Sequence, residues 1–138
     1  MGGKQQLSIV LSIHAQGRLV LWPYAYTKKN HPRTMRYDDW RAFVALGKEL
    51  AALNGYRARQ TSDLYIVDGD EGDWAYHSQR IFAFAFELAA GNPKRMYPTL
   101  PQLQTDQARN RPALLHLLEM ADCPYAAVGA GLAAKHCS

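Results

Sequence analysis

Two short apolar runs open the chain and predict two β-strands. Leu7 to Ile13 (LSIVLSI) and Arg18 to Tyr24 (RLVLWPY) consist mainly of aliphatic and aromatic residues, and Ala15-Gln16-Gly17 separates them. Short apolar runs bounded by turn residues are typical of buried strands. The first strand would end just before His14, which places an imidazole at its carboxyl end.

A helical pattern follows, beginning at Asp38 or Asp39. Either carboxylate can cap the first turn, and Asn54-Gly55 provides residues that commonly end a helix. Between these signals, apolar and small residues recur at helical spacing, which places them on one face. They are Trp40, Phe43, Gly47, Leu50 and Ala51.

Shorter elements alternate through the rest of the chain. We predict a strand over Asp63 to Val67, a helix capped by Asp73 over Asp73 to Gln79, and a strand over Ile81 to Phe86. A surface connection follows over Gly91 to Gln104. The last helix runs from Thr105 or Asp106 to about Ala121 and is bent or restarted at Pro112. Strands that alternate with helices indicate an α/β layer structure. With 138 residues, the chain is long enough for one such domain and too short for two.

The predicted strand at Ile81 to Phe86 places a carboxylate in an unusual position. Its phenylalanines fall on one face, whereas Ala83, Ala85 and Glu87 fall on the other. The small side chains leave a hollow in front of Glu87, and a carboxylate in such a place suits general acid or base catalysis. The alternative is that Glu87 merely emerges into solvent at the end of a strand.

Tyr65 and His14 are the other candidate catalytic groups. Tyr65 precedes a segment rich in Gly and Asp, residues 68–73, so we expect it to lie at the hinge of a mobile loop. A neutral histidine can bind a metal ion, and a nearby glutamate can take a proton from metal-bound water. A lone histidine is more often structural than a ligand, however, and Tyr65 could equally be a half-buried aromatic residue.

Composition argues against several other classes of function. Apolar residues make up 48% and charged residues 20% of the chain, and no apolar run is long enough to cross a bilayer. The net charge of +4 is spread out, and its densest part, Lys28 to Arg33, is most simply a solvated loop. We therefore expect neither a membrane span nor a nucleic-acid partner. Two cysteines, Cys123 and Cys137, are weak evidence for a disulfide.

Six stretches of the chain match a known family in order and nearly in spacing. They are SIH followed by LVLWPYAYT (Leu19 to Thr27), NGY (Asn54 to Tyr56), SDLYIVDGDEGDWAY (Ser62 to Tyr76), IFAFAFEL (Ile81 to Leu88) and ADCPY (Ala121 to Tyr125). In these motifs the chain resembles the C-terminal part of the secreted zinc carboxypeptidases, most closely the bacterial carboxypeptidase T type. The resemblance implies an α/β fold in which helices flank a mixed sheet, with residues 1–138 forming one partial peptidase domain.

The resemblance implies a role for each candidate residue. His14 corresponds to the third zinc ligand, and Glu87 to the general base that activates zinc-bound water. Tyr65 corresponds to the tyrosine that closes over the C-terminal residue of the substrate. Asp70 corresponds to an aspartate that lets the pocket accept basic as well as apolar residues. The other residues implied to line that pocket are Leu64, Val67, Gly72 and Ala85. The implied activity is hydrolysis of C-terminal residues from peptides and proteins.

The rest of the family's site has no counterpart in this sequence. The family takes two further zinc ligands from an upstream HxxE motif, and its substrate-binding arginines also lie upstream. His116 and Glu119 have HxxE spacing but match the family's C-terminal helix, so we interpret the spacing as coincidence. With one of three zinc ligands, we expect the isolated chain to be inactive. The alternative is a catalytically dead module that binds peptide C-termini, and a basic nucleic-acid-binding domain is a distant third.

Without the upstream half of the family domain, the sheet would have an unpaired, apolar edge. We expect such an edge to bind a complementary N-terminal fragment or to self-associate. The resemblance also implies an extracellular protein, in which Cys123 and Cys137 correspond to terminal cysteines that can form a disulfide. The run at Leu7 to Ile13 is not interpreted as a signal peptide, because no small-residue cleavage site follows it.

Overall fold

One mixed sheet of four strands lies at the centre of the computed structural model, which describes residues 7–89 and 97–137. The strands are β1 (Ile9–Ala15), β2 (Leu19–Trp22), β3 (Arg57–Gln60) and β4 (Phe82–Leu88). Their order across the sheet is β1, β4, β2, β3. β1 and β4 are parallel, as are β2 and β3, whereas β2 and β4 are antiparallel.

Helices flank this sheet, as predicted for the α/β class. They are α1 (Tyr37–Asn54), α2 (Glu71–Gln79), α3 (Leu100–Glu119) and α4 (Ala130–His136), with 3₁₀ turns at Thr61–Asp63 and Pro124–Ala127. Gly55 caps the end of α1, and its φ of 68° is a conformation that glycine adopts without strain. Within the described residues, no helix is both long and apolar enough to span a membrane.

The core lies between α1 and one face of the sheet. Phe82, Phe84 and Phe86 of β4 point into it, and their exposed fractions are 5%, 2% and 0%. The ring of Phe43 on α1 lies 4.7 Å from the ring of Phe82 and 5.5 Å from that of Phe84. Burying each phenylalanine contributes on the order of 2 kcal/mol. The other face of β4, which carries its alanines, is left free to form a site.

The C-terminal segment is held against the first turn of α1. A disulfide joins Cys123 to Cys137, whose Cα atoms are 5.6 Å apart. Lys135 Nζ and His136 Nε2 lie 2.6 and 3.0 Å from one carboxylate oxygen of Asp38, in the first turn of α1. α4 is therefore held both covalently and by charged contacts.

The predicted strand at Asp63 to Val67 is wrong. A 3₁₀ turn occupies Thr61–Asp63, no strand follows it, and Arg57–Gln60 is the edge strand β3 instead. The sequence of β3, RARQ, has no apolar alternation, and its position is set by pairing with the buried β2. The side chain of Gln60, at the end of β3, donates to the backbone carbonyl of Tyr24 at 2.9 Å. This contact anchors the loop that follows β2.

The last long helix begins earlier than predicted. α3 starts at Leu100, within the predicted surface connection, because Thr99 and Gln102 form a capping box. The helix continues through Pro112 without restarting. Part of the predicted connection, residues 90–96, lies outside the described residues. The correction therefore concerns only its last few residues.

Candidate active site

β1 and β4 bring His14 and Glu87 together. The two residues are direct partners in the parallel ladder, so their Cα atoms are about 5 Å apart and their side chains leave the same face of the sheet. Both stand near the carboxyl ends of their strands. His14 is exposed and Glu87 is half-buried. An imidazole and a carboxylate are thus neighbours on the face opposite the phenylalanines.

A cavity of about 110 Å³ opens in front of this pair. This volume is below the roughly 150 Å³ of a cavity that holds benzene, so the cavity is too small for a length of peptide. Val67 does not line it, contrary to expectation, and its backbone N–H donates to the carbonyl of Ala25 at 3.3 Å. The candidate residues that do line it are His14, Leu64, Tyr65, Asp70, Gly72, Ala85 and Glu87.

Small residues create the space in this cavity. Ala83 and Ala85 line it from β4. A Cβ atom at Gly72 would lie 3.0 Å from a carboxylate oxygen of Asp70 and 3.4 Å from the Cβ atom of Ala83. A larger residue at position 72 would therefore enter the cavity or displace Asp70. The hollow exists because these positions carry a methyl group or no side chain.

α2 presents the carboxylate of Asp70 to the cavity. Asp70, not Asp73 as predicted, caps this helix, because its carboxylate accepts the N–H of Asp73 at 3.0 Å. The carboxylate of Asp73 instead accepts the N–H groups of Ala25 and Tyr26 at 2.8 and 3.1 Å. Burial raises the pKa of Asp73 above its ordinary value, although these two N–H groups oppose the shift. Asp73 thus joins α2 to the loop after β2.

Tyr65 lies at the cavity on an irregular segment. It is 65% exposed, and residues 65–67 belong to no helix or strand. The preceding residue, Leu64, is anchored by its backbone N–H, which donates to the carbonyl of Thr61 at 3.0 Å. Exposed side chains change rotamer within nanoseconds. The ring of Tyr65 is therefore free to change rotamer at the edge of the cavity.

The cavity also contains residues that no sequence pattern had indicated. Ser12 lies two positions before His14 on the same face of β1, so the period of a strand could have predicted it. Glu71 adds a carboxylate at the start of α2. Thr61 lines the cavity beside Trp22, because its hydroxyl donates to the Trp22 carbonyl at 3.0 Å. No local signal predicts that last contact, since it joins segments far apart in the chain.

The described residues supply only part of a metal site. Among residues 7–89 and 97–137, no group of three or more His, Cys, Asp or Glu side chains is placed to hold a metal ion. A catalytic zinc ion takes three protein ligands, and His14 offers one imidazole here. His116 instead contacts Glu49 at 2.9 Å and does not line the cavity. The donors present therefore do not fit a complete zinc site.

The sequence matches a known family over most of its length. A family model described as zinc carboxypeptidase, peptidase M14, matches residues 1–113. The chain belongs to the zinc carboxypeptidase family. A protein of that name from Saccharothrix mutabilis subsp. capreolus is 34% identical over 130 residues, which cover 94% of this chain and 30% of the relative. The resemblance seen in the sequence motifs is confirmed.

Further relatives of this zinc carboxypeptidase chain match over shorter stretches or at lower sequence identity. Mouse carboxypeptidase A4 is 36% identical over 81 residues, covering 56% of this chain and 19% of the relative. Human carboxypeptidase O is 29% identical over 120 residues, covering 84% and 31%. A crystal structure of thrombin activatable fibrinolysis inhibitor shares the fold, with a TM-score of 0.64 at 20% identity over 83% of this chain and 29% of its own. The chain thus spans less than a third of the length of each.

Proposed function

We propose that this chain provides the general base and one metal ligand of a zinc carboxypeptidase that removes C-terminal residues from peptides. The observation that carries the proposal is the pairing of His14 with Glu87 on adjacent parallel strands that face one cavity. Membership of the zinc carboxypeptidase family supports it. The chain would then be one part of a peptidase domain.

We assign both proton transfers of peptide hydrolysis to Glu87, whose carboxylate faces the cavity from the end of β4. It would take a proton from the attacking water and later give that proton to the leaving amine. His14 would hold a zinc ion together with ligands from outside the described residues, and such an ion would supply Lewis acidity to the reaction. His14 would hold its imidazole at the end of β1 for this purpose.

The cavity is assigned to the terminal side chain of the substrate. Its walls combine alanine and glycine with the carboxylates of Asp70 and Glu71. Such a cavity favours an apolar side chain through burial and a basic side chain through charge. Tyr65 would close over the terminal residue. We therefore propose peptides and proteins with apolar or basic C-termini as substrates, encountered outside the cell.

A graft tests the assignment of Glu87. This chain replaces the matching 130 residues of the Saccharothrix relative, and kcat and KM are measured on peptides that end in Leu or Lys. Glu87→Gln should lower kcat by about 100-fold or more with little change in KM, because the proton acceptor is lost. Glu71→Gln is the matched control on peptides that end in Leu, since Glu71 lines the same cavity from α2 but is assigned no proton transfer, and its kcat on them should stay within about threefold.

Either of two results would count against Glu87 as the base. One is an unchanged kcat in Glu87→Gln, and the other is an equal loss of kcat in both variants, which would indicate general damage to the cavity. Thermal unfolding of both grafted variants, followed by circular dichroism, shows whether a loss of activity comes from misfolding.

A binding module without catalysis is the second candidate. The observation that favours it is an intact cavity beside an incomplete set of ligands in the described residues. We expect the isolated chain to carry little zinc and to leave peptides uncleaved, because one histidine does not make a catalytic zinc site. Elemental analysis gives the zinc content, and calorimetry measures peptide binding.

The two measurements distinguish the candidates. Stoichiometric, chelatable zinc and turnover that Glu87→Gln abolishes would show that the isolated chain is an enzyme, against our expectation. Peptide binding by the isolated chain, combined with an inactive graft that still binds zinc, would favour the module. Weak binding by the isolated chain and an active graft would favour the peptidase.

A further inference from the structure

A second depression, with two arginines in its walls, lies just beyond the end of β4. Its volume is about 220 Å³, and among the described residues it shares no lining residue with the candidate active site. Arg18 comes to it from the loop before β2, Ala89 from the end of β4, and Gln102 and Arg109 from the first three turns of α3. Segments far apart in the chain therefore bring two guanidinium groups to one place.

Arg109 carries a buried donor that is left without a partner. Its Nε atom is buried and has no hydrogen-bond partner in the described part of the chain. Its Nη1 atom lies 3.5 Å from the position that a Cβ atom of Gly55 would take, so the guanidinium packs against the end of α1. A buried donor on a charged group is costly unless an acceptor meets it. The group therefore lacks an acceptor that a bound anion would supply.

Arg18 is held at the depression by its backbone. Its φ of 54° is uncommon for a residue other than glycine, and its carbonyl accepts the N–H of Arg57 at 3.0 Å. Within residues 7–89 and 97–137, neither Arg18 nor Arg109 forms an ion pair with a carboxylate. Asp106 also lines the depression, so two positive charges and one negative charge leave it with a net charge of +1.

Gln102 adds a neutral donor to the two arginines. Its Oε1 atom accepts the backbone N–H of Thr99 at 2.8 Å, which fixes the amide and leaves its Nε2 group to donate elsewhere. The hydroxyl of Thr105 also lines the depression, but it already donates to the carbonyl of Pro101 at 2.9 Å. Planar guanidinium groups match the oxygens of carboxylates and phosphates. The volume of 220 Å³ is several times the roughly 30 Å³ that a water molecule occupies in the liquid, so a small hydrated oxyanion fits.

We propose that Arg18, Gln102 and Arg109 bind a small oxyanion, a phosphate or a carboxylate group. Its source is either a free anion or the carboxylate of an acidic side chain in a peptide, since both present the same oxygens to the arginines. The bound group would give the Nε atom of Arg109 its missing acceptor and would join α3 to the loop before β2. The inference does not use His14 or Glu87 and stands independently of the proposed peptidase function.

A purely structural role for Arg109 explains less. A cation at the C-terminal end of a helix is favoured by the helix dipole, and Arg109 packs against that end of α1. This role accounts for the position of the guanidinium but leaves its Nε atom without a partner. It also gives no reason for Arg18 and Gln102 to line the same depression. A bound oxyanion accounts for all three side chains.

Calorimetric titration of the whole chain with inorganic phosphate, at constant ionic strength, tests this site. We expect saturable binding, and Arg109→Gln and Arg18→Asn should each weaken it by about tenfold or more, because each removes charged donors. Asparagine suits position 18 because it adopts positive φ more readily than most residues. Arg111→Gln is the matched control, since Arg111 is exposed on the same helix, loses the same charge and does not line the depression.

Two further measurements separate binding from folding and identify the source of the anion. Arg109→Lys keeps the charge but loses the planar fork, so its affinity for phosphate should also fall while its circular dichroism spectrum stays unchanged. A short peptide that contains glutamate and ends in an amide is titrated beside its glutamine twin. Tighter binding of the glutamate peptide, by about tenfold or more, would assign the site to acidic side chains, whereas equal binding of the twins beside saturable phosphate binding would assign it to a free anion.

The outcomes either support the site or overturn it. Weaker phosphate binding in the Arg18 and Arg109 variants, with the affinity of Arg111→Gln unchanged, supports it. The inference is overturned if the folded chain binds neither phosphate nor the glutamate peptide, or if the three arginine-to-amide variants bind phosphate equally well. Glu87→Gln should bind phosphate as the unaltered chain does, so a graft without peptidase activity would count against the proposed function and leave this site standing.

Discussion

Asp70 serves both the fold and the site with one carboxylate. It caps α2 and lines the cavity next to Gly72. Because asparagine is also a good helix cap, Asp70→Asn removes the charge while keeping the start of the helix. In the grafted enzyme, we expect kcat/KM to fall about 10- to 100-fold for peptides ending in Lys, as for the loss of a contact worth about 1.5–3 kcal/mol. Peptides ending in Leu should be cleaved almost as before.

A neighbouring aspartate provides the control for this prediction. Asp68 is exposed in the same loop but does not line the cavity, so Asp68→Asn should change neither activity. If Asp70→Asn slowed both classes of peptide equally, the carboxylate would act through the position of α2 rather than through its charge.

Asp39 is a buried carboxylate with a structural role. It is 2% exposed and accepts hydrogen bonds from the hydroxyls of Tyr76 and Tyr125, each at 2.7 Å. Burial, followed by the hydrogen bond to Asp39, raises the pKa of both tyrosines, so both remain donors. Asp39→Ala should lower the free energy of unfolding by about 2–5 kcal/mol, because two hydroxyls would lose their acceptor. Urea denaturation measures this change.

An exposed aspartate sets the baseline for that measurement. Asp122 is exposed, and Asp122→Ala should change the free energy of unfolding by less than about 0.5 kcal/mol. A similarly small effect of Asp39→Ala would mean that the two tyrosine hydroxyls find other acceptors, and that the buried carboxylate does not hold this part of the core together.

Val67 was assigned to the cavity by the family resemblance, and the structure places it outside. The predicted strand over Asp63 to Val67 was consistent with that assignment, because alternation along a strand turns Tyr65 and Val67 to the same side. Residues 65–67 form no strand, so that alternation does not apply to them. Glu87 was placed correctly on the alanine face because β4 is a regular strand throughout.

At the scale of elements, a segment with its own sequence signals could be predicted, whereas a segment that depends on pairing with a distant part of the chain could not. α1 carries an acidic first turn, an apolar stripe and a final Gly55 within one continuous stretch. β3 has no such signal, because only its pairing with β2 makes it a strand. The sequence does contain a signal for the start of α3, which the prediction missed. Thr99, Pro101 and Gln102 have the spacing of a capping box with proline in the first turn.

The docking of α4 on α1 should depend on pH. Lys135, and secondly His136, lower the pKa of the Asp38 carboxyl from its ordinary value of 3.8 to about 2. Because the folded state has the lower pKa, this contact stabilises the docked helix above about pH 4 and is lost as the pH falls toward 2. Amide protection factors in α4 should therefore decrease across that interval, as hydrogen exchange with mass spectrometry can measure.

Replacing the carboxyl group isolates its contribution. In Asp38→Asn, α4 should be less protected at neutral pH and should show no further loss between about pH 4 and pH 2. The Cys123–Cys137 disulfide keeps α4 tethered in both proteins, so the change reports docking alone. An acid transition of the same size in the variant would assign it to another group.

At the scale of the whole molecule, the sheet assembles the site from distant parts of the chain. His14 comes from β1, Glu87 from β4, and Tyr65 and Asp70 from the segment between β3 and α2. The family motifs predicted that these residues belong together and that the sheet is mixed. They did not give the strand order, in which β4 lies between β1 and β2 although those two are consecutive in the chain. Pairing between distant strands leaves no pattern within either strand.

The ladder between β1 and β4 decides which side chains face the cavity. Neighbouring residues of a strand point in opposite directions, so a slip of one position would turn His14 toward the phenylalanines and Ile13 or Ala15 toward the cavity. Such a molecule would keep most of its backbone hydrogen bonds and still be unable to coordinate metal. The register in which His14 lies opposite Glu87 is therefore the one alignment that keeps the imidazole and the carboxylate on the same side of the sheet as the cavity.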